Sequence, residues 1–204
     1  MWFSSRSAYL SEGLLIEQDR RILFDRVTII DNQCNYPWGC GANIVASSPI
    51  FNRCTIANNN EPQSFYYLSS GIAGSPTSDI FIINSIIEGH GGDQLDIADI
   101  SAVIHSNIEG GYDGIGNIDS DPLFIDPDNG DYGLQIQSPC IDAGIAYYES
   151  NGEVIVDLVQ STDYELTGGN IYFNEAPDMG STETACMSNT FDQCGICDGD
   201  GTSC

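Results

Sequence analysis

The residues with the clearest chemical potential in this 204-residue chain are two histidines, thirty carboxylates and eight cysteines. His90 stands in the triplet Gly89-His90-Gly91, with Asp93 close behind. An imidazole beside a carboxylate could transfer protons. His90 and Asp93 are therefore the catalytic candidates, but weak ones, because the chain has no Asp-Asp pair and no Lys or Arg after Arg53. A glycine-rich turn explains the triplet better.

The aspartates suggest a second chemistry, because hard oxygen ligands favour calcium. The stretch "DSDPLFIDPDNGD" (119–131) contains Asp126 and Asp128, and "DGDG" (198–201) contains Asp198 and Asp200. The first stretch fails the order of an EF-hand loop, which has glycine at its sixth position. Turn and capping roles account for these aspartates as well, so calcium is an expectation and no other cofactor is indicated.

The cysteines predict crosslinks rather than a reactive site. A structural zinc site needs two separated pairs of Cys or His ligands, and a redox CxxC needs a helix in a βαβ unit, neither of which the tail "FDQCGICDGDGTSC" offers. Cys54 is expected to be a buried small hydrophobe, and Cys140 has no obvious partner. The disulfide candidates are Cys34, Cys40, Cys186, Cys194, Cys197 and Cys204.

The charge of the chain excludes two classes of partner. Thirty acidic residues face five basic ones, for a net charge of −25. Nucleic acids and anionic lipids are bound through basic residues, so neither is expected.

No apolar run is long enough to cross a bilayer, and residues 1–20 lack a signal-peptide pattern. Because eight cysteines among many Asn, Ser and Gly are typical of extracellular proteins, we expect an export signal upstream of Met1 and a location outside the cell or on its surface.

A repeat along the chain defines the elements that position these residues. The segments "FDRVTIIDN" (24–32), "FNRCTIANN" (51–59), "IINSIIEGH" (82–90) and "VIHSNIEGG" (103–111) align without gaps, and their isoleucine anchors lie 27, 31 and 21 residues apart. The columns headed by Phe24, Val27 and Ile29 should face inward, and the column headed by Thr28 should face outward. The three-residue step from Phe24 to Val27 predicts a bend between them.

A second short apolar run precedes each segment, for example "GLLIE" (13–17) and "GANIVA" (41–46). Two or three short strands in each 21 to 31 residues predict an all-β solenoid of stacked coils rather than helices. Four coils form a short stack with unprotected ends, and natural proteins cover such ends. The chain is therefore expected to be the N-terminally truncated part of a longer, monomeric protein.

Residues 51–59 and 82–89 resemble coils of the right-handed parallel β-helix repeat family, bacterial secreted or surface proteins with a pectate-lyase-like fold. Residues 106–144 are similar to the segment that ends the helix in many of those proteins, and "APDMGSTE" (176–183) is similar to their closing motif. The resemblance covers about residues 24–183. It implies the fold and an exported location, but it implies little about activity. The cysteine-rich tail likewise resembles segments of extracellular modules.

Three regions are expected. Residues 1–144 form the coils and the terminating segment, which should cover the last coil with tight turns and short strands such as "YGLQI". Residues 145–183 add closing strands, with Val154, Val156 and Leu158 on one face of a strand over 153–159 and a hairpin over "LTGGNIYF". Residues 184–204 form an acidic, disulfide-linked tail.

The leading expectation for function is a non-catalytic scaffold that presents an elongated face to a carbohydrate or another surface. Tyr36, Trp38, Tyr66 and Tyr67 are candidates for stacking on sugars, although packing over the coil edges explains them as well. A polysaccharide lyase or hydrolase with key residues in upstream coils is the alternative implied by the resemblance, and a structural spacer of a larger surface protein is the third. Lyases of this fold combine calcium with a basic residue, and only Arg26 and Arg53 share a column near aspartates.

Overall fold

The structure, a computed structural model, describes residues 2–4, 14–17, 21–33, 39–60, 71–76, 78–97, 100–161 and 171–184. Nineteen short strands account for nearly all of its regular structure, together with one 3-10 turn at Pro127–Asn129. Thirteen strands belong to the coils: β1 (Trp2–Ser4), β2 (Leu14–Glu17), β3 (Leu23–Asp25), β4 (Thr28–Ile30), β5 (Ala42–Val45), β6 (Ile50–Asn52), β7 (Thr55–Ala57), β8 (Ile72–Gly74), β9 (Ile80–Ile83), β10 (Ile86–Glu88), β11 (Leu95–Ile97), β12 (Ile100–Ile104) and β13 (Asn107–Ile108). Six follow the coils: β14 (Phe124–Asp126), β15 (Asp131–Leu134), β16 (Tyr147–Ser150), β17 (Glu153–Asp157), β18 (Val159–Gln160) and β19 (Ile171–Tyr172).

The first thirteen strands stack in parallel into three sheets. Sheet A has the order β1-β3-β6-β9-β12, sheet B has β11-β8-β5-β2, and sheet C has β13-β10-β7-β4. The chain visits sheets B, A and C in turn, so that β2-β3-β4 is coil 1 and β11-β12-β13 is coil 4. This all-β arrangement is consistent with a parallel β-helix solenoid, as the repeat predicted. In the described residues no helix has the length and hydrophobicity needed to cross a bilayer.

The predicted columns are the observed strand register. Ile29 pairs with Ile56, Ile56 with Ile87 and Ile87 with Ile108, and all four side chains are buried. The Phe24 and Phe51 rings stack with their centroids 5.0 Å apart. Burial of apolar side chains stabilises a fold by roughly 25 cal/mol for each Å² of apolar surface removed from water. Because each coil buries its inward residues against the neighbouring coils, one coil could not form this core without the others.

Two columns of left-handed backbone turn the corners of every coil. Between sheets A and C the residues with positive φ are Arg26, Arg53, Asn84 and His105, with φ from 45° to 54°. After sheet C they are Asp31, Asn58, Gly89 and Gly110. A single residue in this region bends the chain sharply, which accounts for the bend predicted between Phe24 and Val27. Asparagine and glycine tolerate the conformation best, so the two arginines at such corners are unusual.

The segment after coil 4 first adds a partial rung and then leaves the stack. The Ile108 amide donates to the Ile118 carbonyl at 3.0 Å, and the His105 amide donates to the Ile115 carbonyl at 2.8 Å. Residues near 115–118 thus cover part of the last coil, as predicted. The chain then turns back along the outside of the solenoid, which the sequence did not predict.

The outer face of sheet C is covered by this returning chain. Phe124, Tyr132 and Leu134 from β14 and β15 pack against Ile86 and Ala57 of sheet C. The column headed by Thr28 does point out of the coils, but Thr55, Ile86 and Asn107 are buried there. Burial of outward-facing residues marks sheet C as an internal layer between two parts of the same chain.

The outer face of sheet A is covered by the antiparallel hairpin β16-β17. Ile155 and Val156 pack against Ile50, Phe81 and Ile83. The predicted strand over 153–159 exists, but its predicted alternating face was wrong: Val154 is 51% exposed, whereas Ile155 and Val156 are buried. A register shift beside this part of β17 explains the difference, because a β-bulge places consecutive side chains on one side of a strand.

The last described segment, residues 171–184, returns to coils 1 and 2 and is called the closing strap. Its strand β19 pairs in parallel with β18. Most of the hairpin predicted over 166–173 lies outside the described residues. The Ser181 side chain bonds the Thr28 hydroxyl at 2.8 Å and the Thr55 hydroxyl at 3.1 Å. The predicted closing motif is therefore a strap along the solenoid wall.

Candidate functional site

His90 lies inside the wall of the solenoid and contacts coil 2. Its Nε2 lies 3.1 Å from the Ile56 carbonyl oxygen, and its Nδ1 lies 3.2 Å from the Asn59 amide nitrogen. A neutral ring with its proton on Nε2 satisfies both contacts, and burial lowers the pKa of His90, which favours that neutral form. Both nitrogens are occupied by backbone groups, so proton transfer would require the ring to leave this position.

His90 continues a ladder of buried side chains from neighbouring coils. The Asn32 Nδ2 donates to the Asn59 Oδ1 at 2.7 Å, and the Asn59 Nδ2 donates to the Ile29 carbonyl at 2.8 Å. His90 then bonds the backbone of Asn59. Buried polar groups are tolerated when they are hydrogen-bonded, and the ladder meets this condition across three coils.

Asp93 lies beside His90 at a surface cleft of about 430 Å³. The cleft is formed by the turn that leads into β11 and by the end of coil 4, and Leu95 and Ile108 supply its apolar part. Glu109 and Tyr112 also line it. Asp93 therefore lines a cleft with Glu109 and Tyr112. It does not lie beside a histidine that is free to transfer protons, because both His90 ring nitrogens are bonded to backbone groups.

The polar groups of this cleft are mainly hydrogen-bond acceptors. The Glu109 Oε2 accepts from the Gly89 amide at 2.7 Å and from the Gln94 Nε2 at 3.1 Å. The Gln94 Oε1 has no partner among the described residues. His90 also lines the cleft but is bonded to backbone groups, and none of the described lining residues is a lysine or an arginine. A complementary ligand would therefore offer donors, such as hydroxyl or ammonium groups, and an apolar face.

A second, wider cleft of about 1000 Å³ lies at the end of the stack. It shares Gly110, Gly111 and Tyr112 with the first cleft, and it extends to Ala102 and Ile104 of β12. Ile115, on its rim, is 78% exposed. The end of coil 4 thus carries two adjoining depressions with apolar and acidic linings.

Glu88 and Glu109 occupy the same position on neighbouring coils, one residue before a left-handed corner. Burial raises the pKa of Glu88 to about 7, and the charges of Glu109 and Asp121 add to the shift. This local negative potential would disfavour an anionic ligand in the nearby cleft.

Among the described residues, the outer face of sheet B is only partly covered: its outward residue Ala73 is buried, whereas other outward residues are exposed. Leu15 and Val45 point outward and are 58% and 37% exposed, and Glu17 and Asp96 are exposed on the same face. The segments 34–38 and 61–70 lead into β5 and β8 of this sheet. The predicted aromatic residues Tyr36, Trp38, Tyr66 and Tyr67 belong to these segments and lie outside the described residues.

Two of the four calcium candidates lie in the described part of the chain. Asp126 precedes the 3-10 turn and Asp128 lies within it, and the Asp126 Oδ2 accepts from the Asn129 Nδ2 at 2.8 Å. Asp198 and Asp200 lie outside the described residues. Within the described ranges, no group of three or more His, Cys, Asp or Glu is arranged to hold a metal ion. Calcium binding stays a prediction.

The cysteines fall into two groups. Cys54 and Cys140 are free and buried, and burial raises the pKa of each thiol to about 12, so both are unreactive. Cys40 is in a disulfide. Its predicted partner Cys34 lies outside the described residues, as do Cys186, Cys194, Cys197 and Cys204, so these pairings stay predictions.

The arginines in the repeat are structural in this geometry. Arg53 forms an ion pair with Asp25 and donates to the Ile171 carbonyl of the closing strap at 2.7 Å. Arg26 donates to the same carbonyl at 3.1 Å. These two arginines do share a column, but the strap covers it, so neither is placed as a base for a bound sugar.

Comparisons with protein-family models, with curated proteins and with solved structures gave no match. Gln94, Glu109 and Tyr112 do not stand out in the sequence, although the shared position of Glu88 and Glu109 in the repeat is a usable signal.

Proposed function

We propose that this chain is a non-catalytic scaffold, exported or on the cell surface, that binds a carbohydrate without anionic groups along the outer face of sheet B. In this proposal the solenoid is right-handed, because parallel strands joined by a crossover connection adopt that hand in about 98% of cases. The cleft at Asp93, Gln94 and Glu109 holds one sugar unit at the coil 4 end of the face.

The observation that carries the proposal is the unequal covering of the three sheets. The returning chain packs on the outer faces of sheets A and C, and apolar side chains there are buried. The same chain leaves Leu15 and Val45 exposed on sheet B. A linear face of stacked strands, about 4.8 Å apart, matches an extended polymer better than a compact ligand.

Charge supports the choice of ligand. The chain carries thirty acidic residues and five basic ones, and Arg26 and Arg53 are engaged with the closing strap. An acidic polysaccharide would meet repulsion without a basic clamp. Neutral and amino-bearing polysaccharides have the donors that the acceptor-rich cleft lacks.

The described residues support binding better than cleavage. Hydrolysis by two carboxylates requires an acid and a base or nucleophile positioned about a scissile bond. Asp93 and Glu109 line one cleft, but Glu109 is bonded to the Gly89 amide and to Gln94. His90 is bonded to backbone on both sides. These contacts favour a fixed surface.

Affinity electrophoresis of the whole chain in gels that contain a neutral glucan, chitosan or polygalacturonate tests this proposal. We expect retardation by the glucan or by chitosan and none by polygalacturonate. The variant Val45→Asp should weaken retention by about tenfold or more, which corresponds to about 1.4 kcal/mol. Ile125→Asp is the matched control, because Ile125 is a similarly placed strand residue, 53% exposed, on the sheet C side.

Two results would overturn the proposal. Release of reducing ends from any of these polymers would favour the lyase or hydrolase alternative. Equal mobility in every gel would favour a structural spacer. Repeating the gels with calcium and with a chelator would test the calcium prediction separately.

A further inference from the structure

A set of fully and partly buried charged side chains lies between the closing strap and the corner of coils 1 and 2. The strap contributes Asp178 and Glu183, and the coils contribute Asp25, Arg26 and Arg53. Asp178 has no exposed surface, although it is a carboxyl group. Carboxyl groups are seldom fully buried unless they are paired, so this set needs an explanation.

Backbone amides hold both strap carboxyls in place. The Asp178 Oδ1 accepts from the Asp142 amide at 2.9 Å, and its Oδ2 accepts from the Thr184 amide at 2.6 Å. The Glu183 Oε1 accepts from the Phe173 amide at 3.1 Å. These bonds fold the strap onto itself and join it to the loop that contains Asp142.

The charges around this pair do not balance. Glu183 faces Arg26 and Arg53 from the coils and Asp178 from the strap, while Asp178 faces Glu183 and Asp142. Asp142 in turn faces Glu175. Arg53 is already bound to both carboxylate oxygens of Asp25. Carboxyl groups therefore outnumber guanidinium groups, so full ionisation leaves an excess of buried negative charge.

We propose that the closing strap is a pH-sensitive cover: it is held most firmly at mildly acidic pH, where the Asp178–Glu183 pair keeps a proton, and it loosens as the pH rises through neutrality. The geometry supplies both requirements, a buried pair of acids and a segment whose attachment passes through them. This proposal is independent of carbohydrate binding.

The direction of the pKa shifts agrees with this proposal. Burial raises the pKa of Glu183 to about 7, although the two arginines oppose the shift. Burial and then the charge of Glu183 raise the pKa of Asp178. A carboxyl group whose pKa is raised by folding stabilises the folded state fully below its unfolded pKa, and this contribution disappears as the pH rises through the folded pKa. For Glu183 the window runs from about 4.5 to about 7.

Loosening the strap would uncover the part of the outer face of sheet C that β14 and β15 do not cover. Met179 is completely buried in the cluster that contains Ile86 and Ala57. The Ser181 amide donates to the Thr55 hydroxyl at 2.9 Å, and the Gly180 amide donates to the Asn84 carbonyl at 2.8 Å. Loss of the strap would expose apolar groups and unpaired polar groups together. Alkaline pH should therefore expose a new apolar surface that promotes association between molecules.

Hydrogen exchange of the whole chain at pH 6 and pH 9, corrected for the intrinsic exchange rate, tests the proposal. We expect protection of peptides from 171–184 to fall by about tenfold or more at pH 9, since one pKa unit corresponds to a tenfold change. Peptides from β9 and β10 should keep their protection. Glu183→Gln should remove the pH dependence, and Glu149→Gln, an exposed carboxyl on the hairpin, should not.

Unchanged or increased protection of the strap at pH 9 in the native chain would overturn the proposal. Persistence of the pH dependence in Glu183→Gln would overturn the assignment to this pair. If Glu183→Gln does not fold, Asp178→Asn provides the same comparison, and the native chain alone still decides the direction.

Discussion

Arg53 and Asp25 form a two-point ion pair across neighbouring coils, with Nε–Oδ1 at 3.0 Å and Nη2–Oδ2 at 2.6 Å. Their side chains are 1% and 18% exposed. Arg53 also sits at a left-handed corner, with φ of 50°, and bonds the closing strap. One side chain thus joins coil 1, coil 2 and the strap.

Replacing Arg53 should therefore destabilise the whole fold. Arg53→Met removes the partner of a largely buried carboxylate, and we expect a loss of about 3 kcal/mol in the free energy of unfolding. Urea denaturation measures this loss. Arg21→Met is the matched control, because Arg21 pairs with Glu153 at the surface and such pairs contribute about 0 to 1 kcal/mol. Equal losses in both variants would contradict the central role of Arg53.

His90 should contribute to stability through the ladder. His90→Ala leaves its backbone partners unsatisfied and should cost about 2 to 4 kcal/mol. His90→Asn continues the asparagine ladder of Asn32 and Asn59, so its loss should be smaller. Thermal and urea denaturation compare the two variants. A larger loss in His90→Asn than in His90→Ala would contradict the ladder.

The pH dependence of stability gives a second test of His90. Because burial lowers its pKa in the folded state, His90 contributes fully above its ordinary pKa of about 6.5. This contribution is lost as the pH falls toward the lower folded value, since the unfolded chain takes up a proton first. The difference in unfolding free energy between wild type and His90→Asn should therefore decrease between pH 7 and pH 5.

Gly71 is required for the close approach of two coils. A Cβ at this position would lie 2.3 Å from the His90 Cδ2 and 2.8 Å from the Gln94 carbonyl oxygen. Gly71→Ala should cost about 1 to 3 kcal/mol, as overpacking usually does. In Gly91→Ala the nearest atom is the Asn60 Oδ1 at 3.3 Å, so that variant should be nearly neutral by urea denaturation. A neutral Gly71→Ala would show that the ladder can move.

The cleft can be tested with three sugars of similar size and different charge. We expect line broadening or chemical-shift changes at Gln94 and Tyr112 with D-glucosamine, weaker effects with D-glucose and none with D-glucuronate. Glu109→Gln keeps an acceptor but removes the charge, so it should reduce the preference for glucosamine over glucose. Asp157→Asn, an exposed carboxyl on the hairpin, is the control. Preferential binding of glucuronate would contradict the cleft assignment.

The sequence was most informative where one physical rule acted repeatedly. Stacked rungs require like residues at like positions, so the columns of Phe24 and Ile29 could be aligned directly. The step from Phe24 to Val27 also predicted the corner where Arg26 has φ of 54°. Periodicity specifies the inner wall because each inward residue packs against the equivalent residue of the neighbouring coil.

The outer wall was less predictable because its partners come from elsewhere in the chain. Ile86 reads as an outward residue of a coil, yet it is buried by a segment that does not repeat. The register shift that leaves Val154 exposed depends on the partner strand β16, which sequence alternation does not contain. The cleft at Gln94 and Glu109 likewise depends on where a turn of coil 3 meets the end of coil 4.

The closing strap also has a consequence for how the chain acquires its structure. Thr28 and Ser181 are bonded although 153 residues separate them. Stacked repeats can fold one after another during synthesis, because each needs only its neighbour. Here coil 1 lacks its outer cover until residue 181 has left the ribosome, and contacts of such high sequence separation slow folding. We expect the solenoid to fold late and as one cooperative unit, with its first coil vulnerable to proteases until the strap arrives.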